Sequence, residues 1–312
     1  MTTPSTPTGS APVGAEPIVV GTLDPSSETA LLEHAGRLAA TCGHPLRIVH
    51  VHQANVLFGD PILGLPGAMQ PRSLIIDDSA VGRVAGQLLR DAIEIARKVV
   101  DGKVEVSGEL VRGHAAHALI KESEGAYRVV LQRRRFSRVH RVFTGSTSAR
   151  ITAHAGCPVT VVPEAWSADG RTGIVVGVSG DKTDEQLLTY ALEEANRLNE
   201  PVTVLYGLEL MAMGAELADH ATTRDWTLRA EAYVDDLIRT ARAHAPETAG
   251  TPLERRVVAD APADALVAAA DAARLLVVGR AAHLNAFPHL GGVTRALLRE
   301  ADCPVEVLPL PA

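Results

Sequence analysis

The chain has no long apolar run. Its longest uninterrupted stretches are a handful of residues, against the roughly 20 that a membrane-spanning helix needs, so an integral helical membrane protein is excluded. The N-terminal MTTPSTPTGSAPVGAEP has neither a positive flank nor an apolar centre, and residues 1–15 read as a disordered lead and not as a targeting signal. Cysteine is scarce: Cys42, Cys157 and Cys303 are odd in number and sit in apolar surroundings. That fits a reducing compartment, and the expected location is the cytoplasm. Positive charge is also in deficit, with 30 Lys and Arg against 37 Asp and Glu and a net charge of -7, which argues against a general nucleic-acid binder. No Gly-x-Ser-x-Gly turn, Walker loop or spaced carboxylate pair is present, so the sequence holds no positive sign of catalysis.

What the chain does have is enough apolar content, 46% of 312 residues, to bury the cores of two domains at about 150 residues each. It also repeats. "GSTSARITAHAGCPVTVVP" (145–163) resembles "GGVTRALLREADCPVEVLP" (291–309), and "PIVVGTLDPSSETALLEHAGRLA" (17–39) resembles "GIVVGVSGDKTDEQLLTYALEEANRL" (173–198). An offset of this size signals a duplicated domain and not a solenoid, whose periods run to about 20–50 residues. The expected division is a first domain at 16–163, a linker at 164–172 carrying Pro, Ser and Gly signals around it, and a second domain at 173–312.

Each half alternates strand-like and helical patterns, the signature of a parallel sheet with crossover helices. In the first half strands are predicted at 18–22, 46–51, 104–110, 128–132 and 159–162, and helices near Ser27, Asp78, Ala115 and Ser146. In the second half Thr183 and Gln186 have capping-box spacing, and Leu187, Leu188, Ala191, Leu192 and Ala195 form one apolar face. The predicted class is α/β: two tandem doubly wound five-stranded parallel sheets, Rossmann-like and adenine-nucleotide hydrolase-like. Ligands of such sheets lie beyond the carboxyl ends of the strands where the strand order reverses, here after the first and fourth strands.

These residues resemble the universal stress protein family in its tandem two-domain form. The likeness rests on IVVG before an Asp/Ser/Gly turn, "VRGHAAHALI" (111–120) and "VVADAPADALV" (257–267) after the third strands, Gly-Ser or Gly-Gly before the last helices, and the doubled Cys-Pro-Val. It implies stress adaptation, an adenine nucleotide such as ATP as the ligand, and pairing of the two halves through their fifth strands, with a homodimer or a protein partner as further assemblies. Pairing would also cover otherwise exposed strand edges. ATP-binding members look like Gly-x-x-Gly, nine residues, Gly-Ser/Thr, with an Asp closing the first strand. Glycines let backbone approach phosphate, and a helix N-terminus presents free N–H groups.

Here the pattern is broken in both halves. Counting back from Gly145 and Ser146 puts Gln132 and Arg135 on the two glycine positions, and the acidic position falls on Leu23 or Asp24. In the second half Gly279 holds the first glycine position, Ala282 the second, Gly291 and Gly292 replace Gly-Ser, and Ser179 replaces the Asp. Ser148 and Thr294 complete the candidate binding residues on the last helices. Arg133, Arg134, Arg135, Arg138 and Arg141 admit two readings: guanidinium groups that bind an anion in place of the glycine loop, or a basic surface facing acids of the other half such as Glu300 or Glu306.

Other constellations read mainly as structure. "VSGDKTD" (178–184) partly resembles the phosphate loop of adenylating pyrophosphatases, but an Asp at position 181 opposes a pyrophosphate, and a turn plus helix cap is the plainer reading. His50 with His52, and His114 with His117, could converge, but no third ligand accompanies either pair, so no metal is expected. Cys157 and Cys303 read as small buried thiols. Segments 53–74 and 208–223 are long and apolar, suited to a lid or contact surface or to packing on their own domain. The function expected is non-catalytic ligand or partner binding in a stress response with degenerate nucleotide sites. A weak ATPase or adenylating enzyme, and a ligand-independent interaction module, stand as alternatives.

Overall fold

The computed structural model describes residues 15–52, 78–133, 145–208, 220–280 and 290–310. In the first half the strands are β1 (Ile18–Thr22), β2 (Leu46–His52), β3 (Val106–Arg112), β4 (Arg128–Arg133) and β5 (Val159–Pro163), and the helices α1 (Thr29–Cys42), α2 (Asp78–Val100), α3 (Ala115–Glu122) and α4 (Gly145–His154). The second half repeats the order with β6 (Ile174–Val178), β7 (Val202–Gly207), β8 (Leu253–Val258), β9 (Leu275–Gly279) and β10 (Val305–Leu308), and with α5 (Asp184–Leu198), α6 (His220–His244), α7 (Pro262–Ala270) and α8 (Gly292–Glu300). The predicted strands of the first half fall on the observed ones, with β3 displaced two residues towards the C-terminus.

All ten strands form one sheet in the order β3-β2-β1-β4-β5-β10-β9-β6-β7-β8. Pairing is parallel within each half, and antiparallel only where β10 meets β5. The two five-stranded sheets therefore merge, and each half's fifth-strand edge is covered by the other's.

Strand alternation assigns side chains to two faces. Ile18 and Val20 join Leu31, Leu32 and Ala35 of α1 and Leu89, Ala92 and Ala96 of α2 on one side; Val19 joins Leu119 of α3 and Ile151 of α4 on the other. In the second half the predicted face of α5, Leu187, Leu188, Ala191, Leu192 and Ala195, is buried with Ile174, Val176 and Val234. Glycine is required where helices lie closest. A Cβ on Gly21 would come within 2.7 Å of Leu119, and one on its counterpart Gly177 within 2.9 Å of Leu266, so these strand glycines let α3 and α7 settle onto the sheet.

The start of α5 corrects an expectation. Thr183 makes no side-chain cap, and the capping box with Gln186 does not form. The carboxylate of Asp184 instead reaches back and accepts from the backbone N–H groups of Ser179, Gly180 and Asp181 at 2.9, 2.7 and 3.2 Å. An ionised acceptor for three donors is stronger than a hydroxyl for one.

Candidate ligand-binding clefts

In both halves the strand order reverses between the first and fourth strands, β1 with β4 and β6 with β9. The turns that follow those strands therefore flank the crevice in which doubly wound sheets hold ligands.

In the first half the turn after β1 is organised by a residue that sequence reasoning missed. Glu28 is 2% exposed. Its carboxylate accepts from the Thr22 hydroxyl at 2.5 Å, from the Leu23 N–H at 2.9 Å and from the Asp24 N–H at 3.2 Å. Asp24 itself caps the short turn at Pro25–Ser27, accepting from Ser26 N–H at 3.1 Å and Ser26 hydroxyl at 2.7 Å. Glu28 and Asp184 occupy equivalent places, each ten residues after the first isoleucine of the repeated IVVG. That shared spacing was the available signal. Consecutive N–H groups turned inward make an anion-binding concavity, and in both halves a protein carboxylate already fills it. Burial raises the Asp184 carboxyl, and its bonds from Gly180, Ser179 and the Tyr233 hydroxyl, the last at 2.9 Å, oppose that rise.

Across the crevice, Gln132, next to last in β4, stands on the first position of the expected Gly-x-x-Gly. Its Nε2 donates to the Ser27 carbonyl at 3.0 Å, so the side chain bridges the two turns. Arg133 lies 3.8 Å from Asp302 of the second half. Glu306, expected as a facing acid, is corrected: it is 0% exposed and engaged by Arg128, Tyr190 and Thr160. Glu300 is paired with its neighbour Arg299. Arg134, Arg135, Arg138 and Arg141 lie outside the described residues, as do Ala282 and segment 53–74. Gly145 opens α4 with Ser146 following it, and Ser148 lies in its first turn, where its carbonyl accepts from Thr152 at 2.8 Å.

Three buried polar atoms at this end, His50 Nδ1 and His52 Nδ1 on β2 and Gln132 Oε1, have no hydrogen-bond partner among the described residues. Burial pushes the His50 imidazole below its ordinary value, His52 adds to that push, and Glu28 opposes it. Among the described residues no three His, Cys, Asp or Glu side chains group as a metal site.

The second cleft keeps Gly279 at the end of β9, but the glycine does not open a path for phosphate. The volume its Cβ would take is occupied by Leu310, 2.9 Å away. Ser179 donates its N–H to Asp184, Gly291 precedes α8, Gly292 opens it, and Thr294 is buried at 4% exposure. Tyr206 and Tyr233 lie side by side near Gly180, ring centres 5.9 Å apart.

The model of the Universal stress protein family matches residues 14–163 and 171–309. The chain belongs to that family. Among curated relatives, the universal stress protein Rv2005c of Mycobacterium tuberculosis is 29% identical over 281 residues, covering 86% of this chain and 88% of that protein. A universal stress protein structure from Archaeoglobus fulgidus superposes with a TM-score of 0.63 at 17% identity, covering 94% and 96% of the two chains, a likeness of fold. A universal stress protein of the same organism, solved in complex with dAMP, matches 48% of this chain at 20% identity and a TM-score of 0.33; that match is too slight to carry a ligand across.

No helix among the described residues is long and apolar enough to cross a membrane. A separate cleft of about 830 Å³ opens among α1, residues 164–169 and the start of β9, with His34, Arg37, Trp166, Arg274 and Leu275 among its walls. It lies at the amino-terminal ends of β4 and β9, away from the crevices at the carboxyl ends.

Proposed function

We propose that this universal stress protein acts in stress adaptation by non-catalytic binding, and that its two switch-point clefts have departed from the nucleotide-binding pattern of the family. Residues 16–163 and 173–312 are read as its two domains, joined by 164–172. The observation that carries the reading is the filled pair of first-turn donor sites: Glu28 and Asp184 occupy backbone N–H groups that an anionic ligand would otherwise use. A second carboxylate-free route to phosphate is obstructed by the Gln132 bridge in one half and by Leu310 over Gly279 in the other. The first cleft, with polar atoms of His50 and Gln132 unsatisfied among the described residues, is the better ligand site, since buried polar groups seek partners. Asp24, Arg133, Gly145, Ser146 and Ser148 would line it, and Ser179, Gly279, Gly291, Gly292 and Thr294 the weaker second one.

Native mass spectrometry of freshly purified protein, with calorimetric titration by ATP, ADP and cyclic AMP, tests this. The expected result is no retained ATP and no phosphate release. Stoichiometric ATP, or phosphate release abolished by substitution of Gly279 and Gly291, would favour the nucleotide-dependent enzyme instead.

A further inference from the structure

The two halves meet along a buried seam whose polar groups are not repeated. β5 and β10 pair antiparallel with Thr160 opposite Glu306, and these are the equivalent residues of the two Cys-Pro-Val repeats, each three positions after its cysteine. The register is thus centred on a pseudo-twofold axis. Around that centre, Arg128 of the first half is 1% exposed and lies 2.7 Å from Glu306 and 3.1 Å from Glu194 of the second half. It also donates to Tyr190 at 2.6 Å. Tyr190 in turn donates to Glu306, and Thr160 donates to Glu306 at 2.7 Å.

None of these groups has a like counterpart. Ladder register places Val159 opposite Val129 and Val305 opposite Leu276, so the position of Arg128 is held in the second half by Leu275. The apolar faces of α1 and α5 coincide when Leu31, Leu32 and Ala35 are laid on Leu187, Leu188 and Ala191; that puts His34 where Tyr190 stands and Leu38 where Glu194 stands. The first half supplies the buried cation, and the second supplies both acids and the tyrosine.

We infer that this seam is a heterotypic interface, which accepts the unlike half and rejects a second copy of either half. Two first halves would bury a pair of arginines against histidine, leucine and threonine, with no carboxylate. Two second halves would set Glu306 directly against Glu306, with both Glu194 side chains nearby and leucine in place of Arg128. Buried charge without its partner is among the most strongly penalised arrangements in proteins, and like-charge juxtaposition of this kind excludes wrong partners. Another molecule of the same chain can enter the seam only by exchanging its unlike half, and chains whose own seam is already formed must associate through a different surface.

The test keeps the folded chain intact until the seam has formed. A protease site is inserted at the exposed residues Asp169 and Gly170, the purified protein is cleaved, fragments are exchanged through mild urea with an isotope-labelled sample, and pairs are counted by native mass spectrometry. For the wild-type seam, heterotypic pairs should exceed homotypic ones by about a hundredfold or more. With Arg128→Leu and Glu306→Thr together, which give each half the residue its counterpart carries, homotypic pairs should appear at more than a tenth of the total. The exchanged pair Arg128→Glu with Glu306→Arg restores opposite charge across the seam and should restore part of the preference, limited by the carboxylate of Glu194. A near-statistical mixture from the wild-type seam overturns the inference, whether or not either variant folds. Undiminished heterotypic preference in Arg128→Leu with Glu306→Thr overturns it as well.

Discussion

Replacing Arg128 by leucine should be among the most damaging single changes available in this chain. The guanidinium is buried at 1% exposure between two carboxylates, at 2.7 Å from Glu306 and 3.1 Å from Glu194. Glu194 keeps Arg197 as a partner, but among the described residues Glu306 loses its one ion pair and retains the hydroxyls of Thr160 and Tyr190. Breaking one side of a buried pair typically costs about 3–5 kcal/mol, at least about a fifth of the roughly 5–15 kcal/mol by which domains are stable. Glu306 can escape part of that penalty by taking up a proton. Burial is already the largest influence on its carboxyl and raises it, while Arg128 pulls it down; without Arg128 the upward push is less opposed. A carboxyl raised in the folded state makes the variant lose stability as pH rises from the unfolded value of about 4.3 through the folded one. The Arg128→Leu protein should therefore be less impaired near pH 5 than near pH 8. Glu306→Leu alone strands Arg128 and should cost about 3–5 kcal/mol as well, whereas the double variant removes both charges and leaves the Tyr190 and Thr160 hydroxyls unaccepted, at about 1–3 kcal/mol each, so it should recover at least about 2 kcal/mol over the sum of the two single losses. Urea denaturation followed by fluorescence of Trp166, which packs against cores from both halves, measures the parent, both single variants and the double variant. Additive losses, or a single variant with no preference for acid, would refute the account of this cluster.

Asp184→Ala removes the acceptor of three backbone N–H groups and of Tyr233, and should lower stability by about 2–4 kcal/mol. Because the emptied concavity suits an anion, millimolar phosphate should raise the melting temperature of this variant more than that of the parent, as differential scanning fluorimetry would show. His34 is pushed down to about 3 by burial first and then by Arg128, Arg274 and Arg37. A folded-state value below the unfolded one gives stability that is present above about pH 6.5 and lost progressively as pH falls. His34→Gln should therefore flatten the acid side of the stability profile by at least about 1 kcal/mol at pH 4.5, measured by urea midpoints across pH. Gly207→Ala would place a methyl group 2.7 Å from the Pro262 Cα; backbone cannot yield as a flexible side chain can, and a loss of about 1–3 kcal/mol is expected in chemical denaturation.

The strands and most helices were legible because each carries its own period: five short apolar runs per half, and one apolar face along α5. The missing glycines were legible too, since Gln132 stands at a counted distance from Gly145. What sits in their place was not, because it depends on contacts across the fold. Nothing local says that Gln132 reaches Ser27, or that Leu310, near the C-terminus, lies over Gly279. Glu28 and Asp184 were missed for a different reason. Helix-start rules look for a hydroxyl or amide at the cap, whereas here an acid at or just before the helix's first residue folds back onto the preceding strand turn. The repeat itself carried that information, in the equal distance of both acids from IVVG.

Duplication explains why the seam and the clefts behave differently. A single-domain protein that pairs with its own copy must present the same residues on both sides of its twofold axis, so a buried charge on the axis meets its like. Once two copies share a chain, each side can change alone. Arg128 can appear opposite Glu306 without an arginine facing an arginine, and the clefts can be obstructed by different routes, Gln132 in place of a glycine in one and Leu310 over a retained glycine in the other. The carboxylates of Glu28 and Asp184 are the exception that makes this concrete. They lie away from the axis, where pairing imposes nothing, yet both halves retain an acid bonded to consecutive N–H groups. Their constraint is therefore local: the acid satisfies the N–H groups that the turn after each half's first strand turns inward.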